Sequence, residues 1–252
     1  MSRADPDDLA TAAAEPIPGA LIVIAKTPRP GLVKTRLTPP LSADEALAVA
    51  WACLEDTLAA AAAVSSTRHV LLLAGEPGGW VPDGFEVIPQ VGGGLADRLI
   101  AGFEAVADDA IVIAMDTPQV EPASLARALR ALGSTHDSVF GPAADGGYWL
   151  LGLRRDVSKA RVLDGIPMST DHTGAAQLHR LESLGLTTLT LETLRDVDDV
   201  DDLLVVGTAH PSSRLGRLLP ELATAATSRR LWRSRPLEHT SGLVVRPHPP
   251  QG

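Results

Sequence analysis

Short apolar runs alternate with amphipathic stretches along most of the chain. The runs are rich in Leu, Ile and Val and only five or six residues long, which is typical of strands buried in a parallel sheet. They predict strands at residues 20–25, 69–74, 85–89, 110–115, 138–143, 148–153 and 186–191. The amphipathic stretches predict helices at residues 42–64, 95–107, 122–132 and 173–184, and a last helix from Pro220 onward.

The alternation of strands and helices predicts an α/β fold with a mostly parallel sheet and helices on both faces. Only Ala144–Gly147 join the strands at 138–143 and 148–153. Four residues are too few for a parallel crossover, so this pair is expected to be antiparallel and the sheet mixed. The first helix opens with Ser42-Ala43-Asp44-Glu45, the spacing of a capping box.

The two ends of the chain lack this pattern. Residues 1–18 hold three Asp, one Glu and three Pro without an apolar period, and residues 228–252 mix Arg and Pro. We therefore expect a flexible leader over 1–18, one catalytic domain over 19–227 and a disordered basic tail over 228–252.

Composition narrows the class of protein. The 252 residues are 45% hydrophobic, enough for one large α/β domain, and carry a formal net charge of −9. That charge argues against nucleic-acid binding, which needs a concentrated basic face. No apolar run approaches the ~18 residues of a membrane span, the N-terminus is acidic where a secretory signal is basic, and Cys53 is the single cysteine. We expect a cytoplasmic protein.

The loop after the first strand is basic. Lys26–Leu37 contains four cations, among them Lys26, Lys34 and Arg36, together with Gly31. Cationic side chains and free backbone N–H groups are what a di- or triphosphate needs, since they neutralise its charge and grip its oxygens. The alternative is a solvated basic loop without a ligand.

Carboxylates follow two other strands. Asp116 comes directly after the apolar run 110–115, where it either holds a hard cation or caps the next turn. Residues 196–202 hold five Asp, a density that suits Mg²⁺ or Mn²⁺ but also suits an exposed helix start. Composition alone does not say which of the five turns inward.

Glycine-rich turns mark two more loops. Asp145-Gly146-Gly147-Tyr148 lies between two strands and is either a plain turn or an acceptor or sugar pocket. Gly92–Gly94 lead into a helix that carries Arg98, where free N–H groups either meet an anion or form a plain turn, so Gly93 and Arg98 are candidate phosphate contacts.

The order of these motifs resembles one bacterial family over residues 20–206. The residues that carry the resemblance are Ala25-Lys26-x-Pro28-x-Pro30-Gly31-x-Val33-Lys34-Thr35-Arg36-Leu37, Asp116-x-Pro118, Asp145-Gly146-Gly147-Tyr148-x-Leu150-x-Gly152-Leu153, Gly165-Ile166-Pro167-x-Ser169-Thr170 and Asp196-Val197-Asp198. The family is that of glycosyltransferase-A-like proteins of the arsenosugar-biosynthesis type. Its relatives include the molybdenum-cofactor and phospholactate guanylyltransferases.

This resemblance implies a three-layer α/β/α, Rossmann-like nucleotide-diphospho-sugar transferase fold and a role for each motif. Residues of the basic loop would contact the nucleotide phosphates: Lys26, Gly31, Lys34, Thr35 and Arg36. Asp116 would hold Mg²⁺ or Mn²⁺, with Asp198 and Asp196 supplying further carboxylates. The second-substrate pocket would be formed by Asp145, Gly146, Gly147, Tyr148, Ser169 and Thr170.

The chain departs from the family pattern at three places. Met115 stands where a small polar residue is common, Met168 where an aromatic one is common, and Asp199-Val200 where Thr-Pro is usual. None of these changes removes a predicted metal carboxylate.

The leading hypothesis is a metal-dependent glycosyltransferase that moves a sugar from a nucleotide sugar to a small-molecule acceptor, with Lys34, Arg36 and Asp116 as its catalytic residues. The alternative is a nucleotidylyltransferase that couples a nucleoside triphosphate to a phosphorylated or phosphonate acceptor and releases pyrophosphate. A second alternative is a non-catalytic nucleotide-binding protein. The sequence leaves the oligomeric state open, a homodimer included.

Overall fold

Seven strands form one mixed sheet in the part of the chain that the computed structural model describes, residues 15–233. The strand order is β3-β2-β1-β4-β6-β5-β7. The strands are β1 (Ile17–Lys26), β2 (Ser66–Ala74), β3 (Phe85–Pro89), β4 (Ala110–Ala114), β5 (Ser138–Pro142), β6 (Tyr148–Leu153) and β7 (Thr188–Thr190). All seven lie where the apolar runs predict them.

The helices are α1 (Ala43–Ala62), α2 (Leu95–Val106), α3 (Pro122–Leu132), α4 (Lys159–Leu163), α5 (Thr173–Ser183), α6 (Val200–Ala209) and α7 (Arg214–Arg233), with one 3₁₀ turn at Thr35–Leu37. The predicted capping box of α1 is confirmed, since Ser42 and Glu45 each accept a hydrogen bond from the other's backbone N–H. Among these helices none combines the length and apolar character that crossing a bilayer requires.

Strand direction decides which loops share an edge of the sheet. β1 pairs in parallel with β2 and β4, and β2 with β3. β6 runs antiparallel to both β4 and β5, which confirms the predicted antiparallel pair, and β7 is parallel to β5. The loops after β1, β3, β4 and β7 therefore lie at one edge with the β5–β6 turn. We call it the site edge.

The sheet is covered on both faces, as the alternating pattern predicts. Alternate β1 residues point to opposite sides: Leu21 and Val23 pack with α1 and α3, and Ala20 and Ile22 with α2, α4 and α5. A third apolar cluster joins α1, α6, α7 and the 3₁₀ turn, and includes Leu37 and Leu215. The fold is thus three-layered, with an additional cluster beside the basic loop.

Both predicted ends of the ordered domain shift by a few residues. β1 begins at Ile17, within the predicted leader, and α7 continues to Arg233, within the predicted tail. The predicted start of the last helix at Pro220 is wrong, because α7 begins at Arg214 and contains Pro220 in its interior. Residues 1–14 and 234–252, where the rest of the leader and tail predictions fall, lie outside the described residues.

Candidate active site

The core of the candidate site is an ion-pair cluster that joins three distant segments. The Lys34 Nζ atom lies 2.7 Å from Asp116 Oδ1 and 3.2 Å from Asp198 Oδ1. Arg36 Nη1 lies 3.4 Å from the other oxygen of Asp198. The basic loop 26–37, the residue that follows β4 and the acidic segment 196–202 therefore meet at the site edge, where ligands bind in open α/β sheets.

Lys34 is the buried member of this cluster. Its side chain is 5% exposed, whereas those of Asp116, Asp198 and Arg36 are 34%, 41% and 78% exposed. Burial alone would lower the pKa of Lys34, but the adjacent carboxylates, chiefly Asp116, raise it above its usual value. Its backbone is left-handed, with φ at 49°, a conformation that costs a β-carbon-bearing residue about 1 kcal/mol. The surrounding structure therefore holds Lys34 charged and in place.

A backbone hydrogen bond joins the end of β4 at Asp116 to the acidic segment 196–202. The N–H of Val197 donates to the carbonyl of Asp116 over 3.0 Å. The backbone N–H of Asp198 donates to Asp202, as does that of Asp199, the N-cap of α6. Partial burial would raise the pKa of Asp202, but the hydrogen bonds from Arg195 and these N–H groups lower it.

The structure thus assigns a different position to each of the five Asp residues between 196 and 202. Asp198 faces the lysine, Asp199 and Asp202 form the capping box of α6, and Asp201 is exposed in its first turn. Sequence analysis missed the anchoring role of Asp202. The three-residue spacing of Asp199 and Asp202 is the signal that could have identified it.

Asp196 is the carboxylate of the site whose charged form is disfavoured by its surroundings. Its Oδ1 atom is buried without a hydrogen-bond partner among the described residues. Burial raises its pKa to about 7, and Asp145, Asp116 and Asp198 add to the shift by repulsion. Asp196 thus experiences repulsion from three other carboxylates, and a divalent cation bound among them would neutralise that charge.

This donor set fits a hard cation of the Mg²⁺ or Mn²⁺ type. Asp116 and Asp198 are partly exposed, and the buried oxygen of Asp196 lacks a partner. Within residues 15–233, no three carboxylate, thiol or imidazole groups are close enough to enclose an ion by themselves. Mg²⁺ at phosphate-transfer sites commonly takes one or two carboxylates and completes its shell with phosphate oxygens and water. Such a mode suits this arrangement.

The cluster lines a pocket of about 150 Å³ together with Lys26, Thr35 and Met115. Pockets that enclose an entire small ligand are roughly 300–1,000 Å³. This one is the size of a phosphate group, and it opens toward the exposed basic side chains of the loop. Gly31 lies at the exposed tip of that loop with φ at 71°, a conformation that favours glycine.

The predicted second-substrate loop lies at the same edge. Asp145 Oδ1 accepts a hydrogen bond from the N–H of Gly147, and the carbonyl of Gly146 accepts one from Gly174 at the start of α5. A β-carbon on Gly146 would lie 1.8 Å from the carbonyl oxygen of Asp171. The loop is therefore pressed against the segment that carries Ser169 and Thr170.

The aromatic pair of this loop has divided roles. Trp149 is 1% exposed, packs against Gly141 and donates to the carbonyl of Glu192, so it belongs to the core. The ring centroid of Tyr148 lies 5.7 Å from that of Phe140, with the two rings tilted by 52°, and its hydroxyl lies 3.8 Å from the sulfur of Met168. Burial raises the pKa of Tyr148, which keeps its hydroxyl protonated at neutral pH.

Gly93 and Arg98 form a separate group beyond β3. Arg98 Nε donates to the carbonyl of Gly93 over 3.2 Å, and Gln90 donates to the carbonyls of Ala25 and Leu72. In the described part of the chain no ion pair or hydrogen bond links Arg98 to the Lys34 cluster. Their role as phosphate contacts stays a prediction.

The comparisons with known proteins agree with this architecture. The sequence profile of a family described as "uncharacterized protein conserved in bacteria (DUF2064)" matches residues 46–170. The matched segment lies within residues 20–206, over which the motifs resemble one bacterial family. A search of the curated proteins finds no significant match.

Solved structures confirm the fold. A candidate nucleotide-diphospho-sugar transferase from Desulfovibrio desulfuricans G20 is 24% identical, covers 83% of this chain and 97% of its own, and superposes with a TM-score of 0.76. The 4-diphosphocytidyl-2C-methyl-D-erythritol synthase of Anaerococcus prevotii DSM 20548 is 10% identical over 76% of this chain and 95% of its own, with a TM-score of 0.50. The chain therefore has the nucleotide-diphospho-sugar transferase fold.

A more distant neighbour is a Mycobacterium tuberculosis H37Rv protein in complex with manganese. It is 21% identical, covers 76% of this chain and 98% of its own, and has a TM-score of 0.43.

Proposed function

We propose that the protein is a metal-dependent transferase that uses a nucleotide-activated donor, and that it transfers a sugar from a nucleotide sugar to a small acceptor. The observation that carries the proposal is the Lys34–Asp116–Asp198 cluster at the site edge of a nucleotide-diphospho-sugar transferase fold. Cations for phosphate and carboxylates for a hard metal are brought within 4 Å of each other there.

The proposed mechanism assigns a task to each group. Asp116 and Asp198, with Asp196 beside them, hold Mg²⁺ or Mn²⁺, which when bound neutralises charge on the donor phosphates. Lys34 and Arg36 stabilise the negative charge that develops on the departing diphosphate. Lys26, Thr35 and the backbone at Gly31 position the phosphates, and Gly93 and Arg98 contact the donor from the β3 side.

The second substrate is proposed to lie against the β5–β6 turn. Asp145 is exposed beside the carboxylate cluster, and Tyr148, Ser169 and Thr170 border the same loop. Gly146 and Gly147 let a ligand approach the backbone closely. A small acceptor suits this position, because the turn is tied to α5 by the hydrogen bond from Gly174 to Gly146, and Asp145 is near enough to Asp196 to repel its charge.

Nucleotidylyl transfer is the second candidate, and the charge of the basic loop favours it. The loop carries four cations within twelve residues, a balance suited to a triphosphate. In that reaction a phosphorylated or phosphonate acceptor attacks the α-phosphate and pyrophosphate leaves. Both reactions use the same carboxylates and cations, so the donor must be identified by experiment.

The setting proposed for this enzyme is a cytoplasmic one, with small-molecule partners and a single catalytic domain over residues 19–227. The net charge of −9 and the buried, unpaired Cys53 support it. A homodimer is compatible with this proposal and is tested by measuring the mass in solution.

A thermal-shift panel tests the function. Nucleoside triphosphates, diphosphates and nucleotide sugars are added with Mg²⁺, with Mn²⁺ or with chelator, since a ligand of the native state raises the melting temperature by mass action. Stabilisation by one nucleotide sugar and its diphosphate supports glycosyl transfer. Metal-dependent stabilisation by a triphosphate alone supports nucleotidylyl transfer. No shift with any of them supports a protein that does not turn over nucleotides.

The variant Asp116→Ala sharpens this panel. It is expected to fold and to lose turnover and the metal-dependent part of the shift, because it removes one of the two carboxylates that contact Lys34. Asp83→Ala, which removes an exposed carboxylate in the loop before β3, serves as the matched control. Full activity of Asp116→Ala with its metal dependence intact would contradict the metal assignment.

A further inference from the structure

Lys34 occupies an unusual position for a phosphate-binding side chain. Its ammonium group contacts one oxygen of Asp116 and one of Asp198, the carboxylates assigned above to the divalent cation. The side chain is buried, whereas Arg36, two residues away, is 78% exposed and contacts Asp198 at its other oxygen. Of these two cations, only Lys34 joins both carboxylates.

These contacts engage one oxygen of each carboxylate that is proposed to hold the cation. An ammonium 2.7 Å from Asp116 Oδ1 takes up a lone pair of that oxygen and supplies a full positive charge between the two carboxylates. A divalent ion brought to the same oxygens would face that charge at short range. Lysine and metal would therefore compete for Asp116 and Asp198.

Lys34 also borders the pocket, where a bound phosphate would be a second partner for its ammonium group. Its side chain lines the phosphate-sized pocket with Lys26, Thr35 and Arg36. A flexible four-carbon stem with three donors can turn from carboxylate to phosphate without moving the backbone. The left-handed φ of Lys34 and the buried Leu37 that follows hold the loop backbone while the side chain turns.

We infer that Lys34 is an internal competitor of the divalent cation, displaced from Asp116 and Asp198 when phosphates bind. Cation and nucleotide would then bind cooperatively: the phosphates draw the ammonium away, and the freed carboxylate oxygens accept the metal. The inference rests on the proposed function, and it adds that metal binding without a phosphate ligand is held weak by the protein itself.

The test measures Mn²⁺ alone and inorganic pyrophosphate alone on the full chain. Free Mn²⁺ is counted by electron paramagnetic resonance, and pyrophosphate binding is followed by calorimetry in the presence of chelator. Lys34→Gln is expected to bind Mn²⁺ about tenfold more tightly than wild type, within the usual range of coupling between sites, and to bind pyrophosphate about tenfold more weakly. Lys34→Met, a second neutral variant, checks the result if Lys34→Gln folds poorly.

The matched control is Arg36→Gln, which removes the same charge from an exposed side chain of the same loop. It is expected to weaken pyrophosphate binding but to change Mn²⁺ affinity by less than about threefold, because Arg36 touches only one carboxylate. In Lys34→Gln/Asp116→Asn the gain in Mn²⁺ affinity is expected to disappear, which would locate the ion at these carboxylates.

The outcomes separate the inference from the proposed function. If wild type binds Mn²⁺ and Lys34→Gln binds it no more tightly, or if Arg36→Gln gains as much as Lys34→Gln, the competition is overturned and the transferase proposal stands. If neither wild type nor any variant binds Mn²⁺ or pyrophosphate, the proposed function fails and the inference fails with it.

Discussion

At the scale of single residues, the carboxylates of the site differ sharply in environment. Asp198 is partly exposed and faces two cations, while Asp196, two residues earlier, is largely buried and has an unpartnered oxygen. Ionising Asp196 therefore costs free energy, because burial and the neighbouring carboxylates disfavour its charged form. Such a cost is tolerated where a positive ligand can offset it, which is consistent with the proposed cation site.

This difference predicts a pH-dependent stability. The folded-state pKa of Asp196 is about 7, above the ordinary value of 3.8, so the folded chain binds a proton more tightly than the unfolded chain. Its contribution is fully present below pH ~4, declines as pH rises from ~4 to ~7, and is lost above that. In chelator, Asp196→Asn should therefore melt at a higher temperature than wild type at pH 8 and at a similar temperature near pH 4.

Thermal melts across that pH range check the prediction. The control is Asp201→Asn, which changes an exposed carboxylate in the first turn of α6. If the melting temperature of Asp196→Asn parallels that of wild type at every pH, folding does not raise the pKa of Asp196.

At the scale of elements, the site depends on loops whose positions are fixed by contacts with other elements. The β5–β6 turn is fixed by α5, whose Gly174 N–H donates to the carbonyl of Gly146 over 2.8 Å. The approach is so close that a side chain at Gly146 would collide with the backbone of Asp171. The two walls of the proposed acceptor pocket are therefore in direct contact.

Two glycine substitutions test this coupling. Gly146 and Gly165 both have positive φ, at 90° and 73°, but a β-carbon at Gly165 meets nothing within 4 Å. Gly165→Ala should cost about 1 kcal/mol from backbone strain alone. Gly146→Ala should cost at least about 2 kcal/mol more, because overpacking adds to the strain. Denaturant unfolding of both variants measures the difference, and equal losses would argue against a close contact.

Much of the element pattern is predictable from sequence. Strands such as β3 and β6 match their apolar runs residue for residue, and α3 matches its amphipathic stretch. The start of α7 has a local signal that was missed, because Ser213 accepts a hydrogen bond from the backbone N–H of Gly216 as an N-cap serine does. The buried carboxylate of Asp56 accepts from the backbone N–H groups of Arg214 and Leu215. The local signal at Pro220, where helices often begin, pointed six residues too far along the chain.

The site is predictable in its membership but not in its contacts. Each motif follows a strand, so its place at one edge is implied by the alternation of strands and helices. The ion pair between Lys34 and Asp198 spans 164 residues and depends on a left-handed turn at a non-glycine residue. Neither feature has a local sequence signature, and the same is true of the burial of Asp196.

At the scale of the whole molecule, the third apolar cluster connects the basic loop to α1 and to the last two described helices, α6 and α7. Leu37 is fully buried one residue after Arg36 and packs with side chains of α1, α6 and α7. The 3₁₀ turn at Thr35–Leu37 is therefore attached to the body of the protein, while the tip of the same loop is exposed.

Two leucines of this loop show the contrast. Leu37→Ala should lower the free energy of unfolding by about 3 kcal/mol, since it leaves a cavity in a buried cluster. Leu32→Ala should change it by less than about 0.5 kcal/mol, because Leu32 is 69% exposed at the loop tip. Chemical denaturation of the two variants provides the comparison, and similar losses would contradict the division of the loop into a fixed base and an exposed tip.

The reversed direction of β6 bears on how substrate choice could diverge among relatives. Each of the other loops of the site edge follows a strand and leads into a different element. A change in such a loop therefore also displaces the element that follows it. The 143–147 turn joins two strands that pair with each other, and its tip is in close contact with the start of α5. Residues 138–153 therefore form a unit of exchange only together with the segment 171–174: grafting both from one relative to another would be expected to alter the proposed acceptor preference and leave donor chemistry unchanged.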